Sequence, residues 1–159
     1  MMNFIAYASK GKRAAEAAPY GVVDLLSVGG LGLGGLVSLL FSDYLYAGGA
    51  NGLDVKTGLT ISSITGRTLQ MEDLFASDAS YKEALDRNIR EQLKDRGLEG
   101  QLLSPFTGIT GKENFYITDS ALVIVIRELE WFPHSMGTVE FSIPFTEIQM
   151  YLKEDLGLS

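Results

Sequence analysis

The chain of 159 residues has room for one ordinary domain, and its 46% hydrophobic and 21% charged residues describe a globular protein, not a disordered one. Thirteen basic against twenty acidic side chains leave a formal charge of −7, a field that repels phosphate backbones and makes nucleic acid an unfavourable partner. With no cysteine there are no disulfides, thiolate zinc sites or cysteine nucleophiles, and a single histidine leaves almost no material for a metal centre or a Ser-His-Asp triad, so no metal and no cofactor are expected.

Residues 1–36 form a glycine-rich lead segment. Lys10, Lys12 and Arg13 could serve as the basic end of a secretory signal, but Glu16, Asp24 and the glycines interrupt the apolar core, and no A-x-A cleavage site follows. Gly30, Gly32 and Gly35 spell the G-x-G-x-x-G of a dinucleotide-binding loop, with Asp54 at a suitable distance for a ribose. That chemistry needs a helix of about three turns after the third glycine, and here the chain continues in β-formers, Leu36–Tyr46. As a membrane span, Leu25–Phe41 falls short of the roughly 20 apolar residues required and carries five glycines.

From Val37 the pattern becomes that of a domain spanning residues 37–159. Val37–Tyr46 reads as a strand ending in the turn Ala47-Gly-Gly-Ala-Asn-Gly52, and Leu53–Val55 and Leu59–Ile64 read as two short strands separated by Lys56-Thr-Gly58. Leu69–Phe75 predicts one helical turn. Ser80–Arg96 predicts the main helix, because Tyr81, Ala84, Leu85, Asn88, Ile89, Gln92 and Leu93 recur at three- and four-residue steps. Ser80 and Glu83 match a capping box and Gly97 a helix stop, while the charged residues from Lys82 to Asp95 are expected on a solvated face. Phe115–Thr118, Ala121–Leu129 and Val139–Ile143 predict strands, the second covered on both faces because Leu122–Ile126 is an unbroken apolar run. Pro144 opens a short last helix that shares Phe145, Ile148 and Leu152 on one face. The expected fold class is α+β: an antiparallel sheet packed against one long helix, with a short C-terminal helix.

Chemistry is sparse. Gly108-Ile-Thr-Gly111-Lys112 lacks the spacing of a phosphate-binding loop. His134, in the loop Trp131–Gly137, is a candidate general base or an ordinary loop residue. Trp131 is a candidate interface anchor or a cover over the sheet edge. Carboxylates are scattered, and none are paired locally as glycoside hydrolysis would need.

The ordered set Leu39–Gly52, Leu53–Gly58, Gly66–Phe75, Leu85–Leu93, Asn114–Asp119, Leu122–Ile126 and Val139–Ile148 resembles the C-terminal domain shared by RsiV-type anti-sigma factors and PdaC-type peptidoglycan deacetylases. The resemblance runs from about Ser38 to Leu152. It implies a non-catalytic, extracytoplasmic binding or sensor module of the bacterial cell envelope, with a lysozyme-like basic protein or a peptidoglycan-derived ligand as partner. It also implies that a membrane anchor or a preceding domain is missing from this chain. Asn51 stands where the family's glycine turn usually has histidine; asparagine keeps the turn's backbone freedom but supplies no imidazole. The candidate binding residues are therefore Tyr46, Gly48, Gly49 and Asn51 of that turn, with Trp131 and His134 of the later loop. The alternatives are a small cell-wall hydrolase using Asp or Glu with His134, or a structural domain of a longer chain.

Overall fold

In the computed structural model the described residues are 22–26, 35–45, 53–76 and 80–158. Two antiparallel three-stranded sheets form, where the sequence suggested one. The first orders β1 (Val22–Leu26), β2 (Leu36–Leu45) and β3 (Leu53–Ser62) side by side; the second orders β4 (Asn114–Ile117), β5 (Ala121–Ile126) and β6 (Val139–Pro144). One helix of 15 residues, α1 (Tyr81–Asp95), and a short helix, α2 (Phe145–Ile148), complete an α+β fold. Among the described residues, no helix is long and apolar enough to cross a membrane.

The third glycine of the opening run leads into a strand. Gly35 takes φ +68 and its carbonyl accepts Ser63 N–H at 2.7 Å, after which Leu36 pairs with Ser62. A dinucleotide loop would have delivered a helix at this point. β3 also differs from the two strands expected: it runs unbroken through Lys56-Thr57-Gly58, with Leu40 opposite Gly58. Gly58 here is no breaker. A Cβ on it would lie 2.0 Å from the carbonyl oxygen of Phe115, so a glycine is what lets β4 approach β3.

The core lies between the second sheet and α1. Leu122, Ile124 and Ile126 of β5, with Phe141 and Ile143 of β6, meet Leu85, Ile89 and Leu93 of the helix, all buried. Every residue of β5 is buried, as its unbroken apolar run requires. The helix ends in a Schellman motif: Leu98 N–H donates to Leu93 O at 2.7 Å and Gly97 N–H to Lys94 O at 3.0 Å, with Gly97 at φ +65. At the other end Ser80 occupies the N-cap with helical dihedrals and no side-chain capping bond, so the S-x-x-E signature does not close into a box. Gln92 Nε2 and Arg96 Nη1 donate to the carbonyls of Ser142 and Glu140, both at 2.8 Å. These side chains satisfy carbonyls along the outer edge of β6 and help cover it against pairing with another chain.

α2 is a single turn followed by the 3-10 turn Gln149–Tyr151, yet Phe145, Ile148 and Leu152 are all buried. Leu152 bridges to Phe75, Ala76 N–H donates to Tyr151 O at 2.9 Å and Lys153 N–H to Leu74 O at 3.0 Å. The C-terminal segment is thereby clipped to the 3-10 turn Met71–Leu74 that precedes α1.

Candidate functional site

The charged side of α1 is not uniformly solvated, because the segment from Phe106 to Gly111 lies across part of it. Asp86 Oδ1 accepts Ile109 N–H at 2.8 Å, Lys82 Nζ donates to Thr110 O at 2.7 Å, and the Arg90 guanidinium sits 5.2 Å from the Phe106 ring centroid. Next to this crossing the chain forms an open groove of about 490 Å³, lined by Leu93, Leu102, Pro105 and Phe106 with Arg90, Glu99 and Ser104 at its polar positions. Leu103 also lines it and is 54% exposed. A groove of this size with mixed apolar and polar lining can receive a side chain of a partner.

The wall of the groove is backed by a row of tilted aromatic rings. Phe106 meets Trp131 with centroids 5.0 Å apart, and Trp131 meets Phe141 at 5.8 Å. Leu103 N–H donates to Trp131 O at 2.9 Å, tying the lip of the groove to the Trp131 turn. Trp131 is thus half-buried, over the helix-side face of the second sheet. On the same turn Leu129 is 63% exposed at φ +62, a backbone region uncommon for a bulky side chain.

His134 opens the 3-10 turn His134–Met136 and is half exposed. Its Nδ1 contacts Glu128 Oε1, and the pair does not line the groove. Of the residues expected to bind, the structure brings Trp131 behind the groove and sets His134 farther along the same loop. Tyr46, Gly48, Gly49 and Asn51 lie outside the described residues. The groove residues Leu102, Leu103, Pro105 and Phe106 were not anticipated; a leucine pair followed by proline in a polar loop was the available sign.

The segment Gly108–Lys112 has an occupant of its own. Glu113, 8% exposed, accepts Thr110 N–H at 2.7 Å, Thr110 Oγ1 at 2.9 Å and Gly111 N–H at 2.8 Å. These donors would otherwise be free to face a phosphate; they are committed to the chain's own carboxylate. Glu113→Ala is expected to destabilise by about 2 kcal/mol, and Glu113→Gln by roughly half of that because one amide acceptor remains. Chemical denaturation of the two variants checks the order.

On the opposite face of the second sheet, Glu140 links two elements. Its carboxylate lies 3.3 Å from Lys56 Nζ and 3.5 Å from the Tyr116 hydroxyl. Burial, then the charge of Glu140 and its hydrogen bond, push the Tyr116 phenol up to about 12. The folded state therefore favours neutral Tyr116. This contribution is intact below the ordinary phenol value near 10 and is lost as pH rises from there towards about 12. Denaturation midpoints measured between pH 9 and 12 are expected to fall, and Tyr116→Phe to flatten that fall. Burial raises the Tyr81 phenol as well, which leaves a residual slope. Among the described residues there is no group of three or more His, Asp or Glu that could hold a metal ion.

The fold and groove define a small α+β domain with two sheets, a helix packed on the second of them and an open groove beside that helix. Residues 72–146 match the family described as "Protein of unknown function (DUF3298)", and this match, with the relative below, bears out the resemblance read from the sequence. The chain is 34% identical over 96 residues to the anti-sigma-V factor RsiV of Bacillus subtilis (strain 168), a match covering 54% of this chain and 33% of that protein. A crystal structure of a DUF3298 family member from Bacteroides fragilis NCTC 9343 superposes with a TM-score of 0.69 at 25% identity, over 87% of this chain and 57% of the other. A DUF3298 family protein from Pseudomonas aeruginosa PAO1 shares the fold, with a TM-score of 0.63 at 18% identity over 91% of this chain and 67% of the other. The chain therefore spans about a third of the length of the curated relative.

Proposed function

We propose that this chain is a non-catalytic binding module of an extracytoplasmic regulatory protein of the bacterial cell envelope, and that its partner is a basic protein of the lysozyme kind. The observation that carries the reading is the 34% identity with an anti-sigma factor over 96 residues. The charge agrees with it: −7 over the chain attracts a cationic partner at long range, and the groove beside α1 offers apolar contact at short range. The turn carrying Tyr46, Gly48, Gly49 and Asn51 is proposed as a second contact region on the strength of the family resemblance.

Calorimetric titration with a c-type lysozyme, and separately with soluble peptidoglycan fragments, tests the proposal. Saturable binding of lysozyme tighter than about 100 µM, weakening with salt, is the expected result. Binding of the fragments alone would move the partner to the cell wall itself, and binding of neither would end the reading. A second reading, a small cell-wall hydrolase, has one observation in its favour, the contact between His134 and Glu128. It requires that the chain release reducing ends from peptidoglycan and that His134→Ala abolish the release.

A further inference from the structure

We infer that the first sheet is a separately cooperative unit, docked on the rest of the domain through a polar seam, and that its undocking is the lowest global-scale opening of the molecule. Two observations lead there. First, the hydrophobic core holds residues from α1, the second sheet and the C-terminal segment, but among the described residues only Leu36 comes from the strands of the first sheet. The other buried side chains described on this sheet are Ser38 and Thr60, both polar, and Leu40, which is 4% exposed and stands outside that core cluster.

Second, among the described residues no ladder joins the two sheets; side chains stand in for one. Asn114 Oδ1 accepts Gly58 N–H at 2.6 Å while Asn114 Nδ2 donates to Gly58 O at 3.1 Å, so one amide side chain imitates a peptide group of a neighbouring strand. Ser38 Oγ accepts Ile117 N–H at 2.9 Å and is itself 2.9 Å from Thr60 Oγ1. The Lys56–Glu140 ion pair closes the margin, about a quarter exposed on each side. Polar groups like these find water as an alternative partner once separated, so parting the seam costs far less than parting an apolar core.

Undocking would bare the β4 edge, including the Ile117 N–H that Ser38 now occupies.

Native-state hydrogen exchange on the wild-type chain, followed by mass spectrometry across a series of sub-denaturing urea concentrations, reads the inference directly. Amides of β2 and β3 are expected to exchange at least about tenfold faster than those of β5 and the middle of α1, through an opening that accelerates with urea. Asn114→Ala is expected to speed the β2 and β3 amides further while leaving β5 and α1 where they were. Because the chain has no cysteine, Lys56→Cys with Glu140→Cys, joined by a short bismaleimide, gives a lock at a unique position. The lock is expected to slow β2 and β3 selectively. Equal exchange free energies in all strands would overturn the inference. So would fast β2 and β3 exchange that ignores urea, which is local fraying, or a lock that slows every element alike.

Discussion

Gly58→Ala is expected to lower stability by about 3 kcal/mol, a fall of roughly 10 °C in Tm, from the loss of a single hydrogen's worth of space. The atom that an added Cβ would meet, the Phe115 carbonyl oxygen at 2.0 Å, belongs to a backbone that has little freedom to retreat. Phe115 itself is buried against the core and its neighbour Asn114 is bonded to Gly58 on both polar atoms. Relief would have to come from moving β3 away from β4, which breaks the Asn114 pair and pulls Ser38 off Ile117 N–H. Thermal denaturation gives the magnitude. Gly66→Ala supplies the contrast: that glycine sits at φ +70 with nothing within 4 Å of an added Cβ, so it pays only the backbone term of about 1 kcal/mol. Equal losses in the two variants would mean that conformational preference, and not the sheet junction, explains Gly58.

The same glycine shows why part of the fold was legible in the sequence and part was not. α1 and β5 announce themselves by period and by an unbroken apolar run, because each buries a whole face or both faces against neighbours. Gly97 marks its stop by the left-handed turn it alone adopts cheaply. Gly58, by contrast, reads as a breaker unless one knows that another strand passes over it, and that strand is 56 residues away in sequence. Ser80 fails in the opposite direction: its spacing to Glu83 satisfies a capping rule that the local dihedrals of φ −70 and ψ −18 do not allow. The charged face of α1 looked solvated from its own sequence, yet Lys82, Asp86 and Arg90 are engaged by a later loop. Local rules see the element; long-range contacts decide what lies over it. For the candidate site the same holds, since Trp131 backs the groove wall at Phe106 although 25 positions separate them.

Leu103→Asp is expected to weaken partner binding by roughly 30- to 100-fold, about 2–3 kcal/mol, while leaving the fold almost untouched. The residue is 54% exposed, so about half of its surface still faces water in the free protein, and its backbone bond to Trp131 O does not involve the side chain. Burying it under a partner would gain what the free protein leaves in water, and an aspartate there would instead have to be desolvated. Charge alone predicts something else. An added carboxylate on a chain of net −7 strengthens attraction to a basic partner wherever it is placed. Met150→Asp separates the two effects, because Met150 is 82% exposed on the C-terminal turn, outside the groove, and takes the same change of charge. Calorimetric titration of the three proteins at two salt concentrations is expected to show Met150→Asp binding at least as well as wild type and Leu103→Asp far worse at both. If the two variants bind alike, the groove is not where the partner sits, and the field of the whole acidic chain is what draws it.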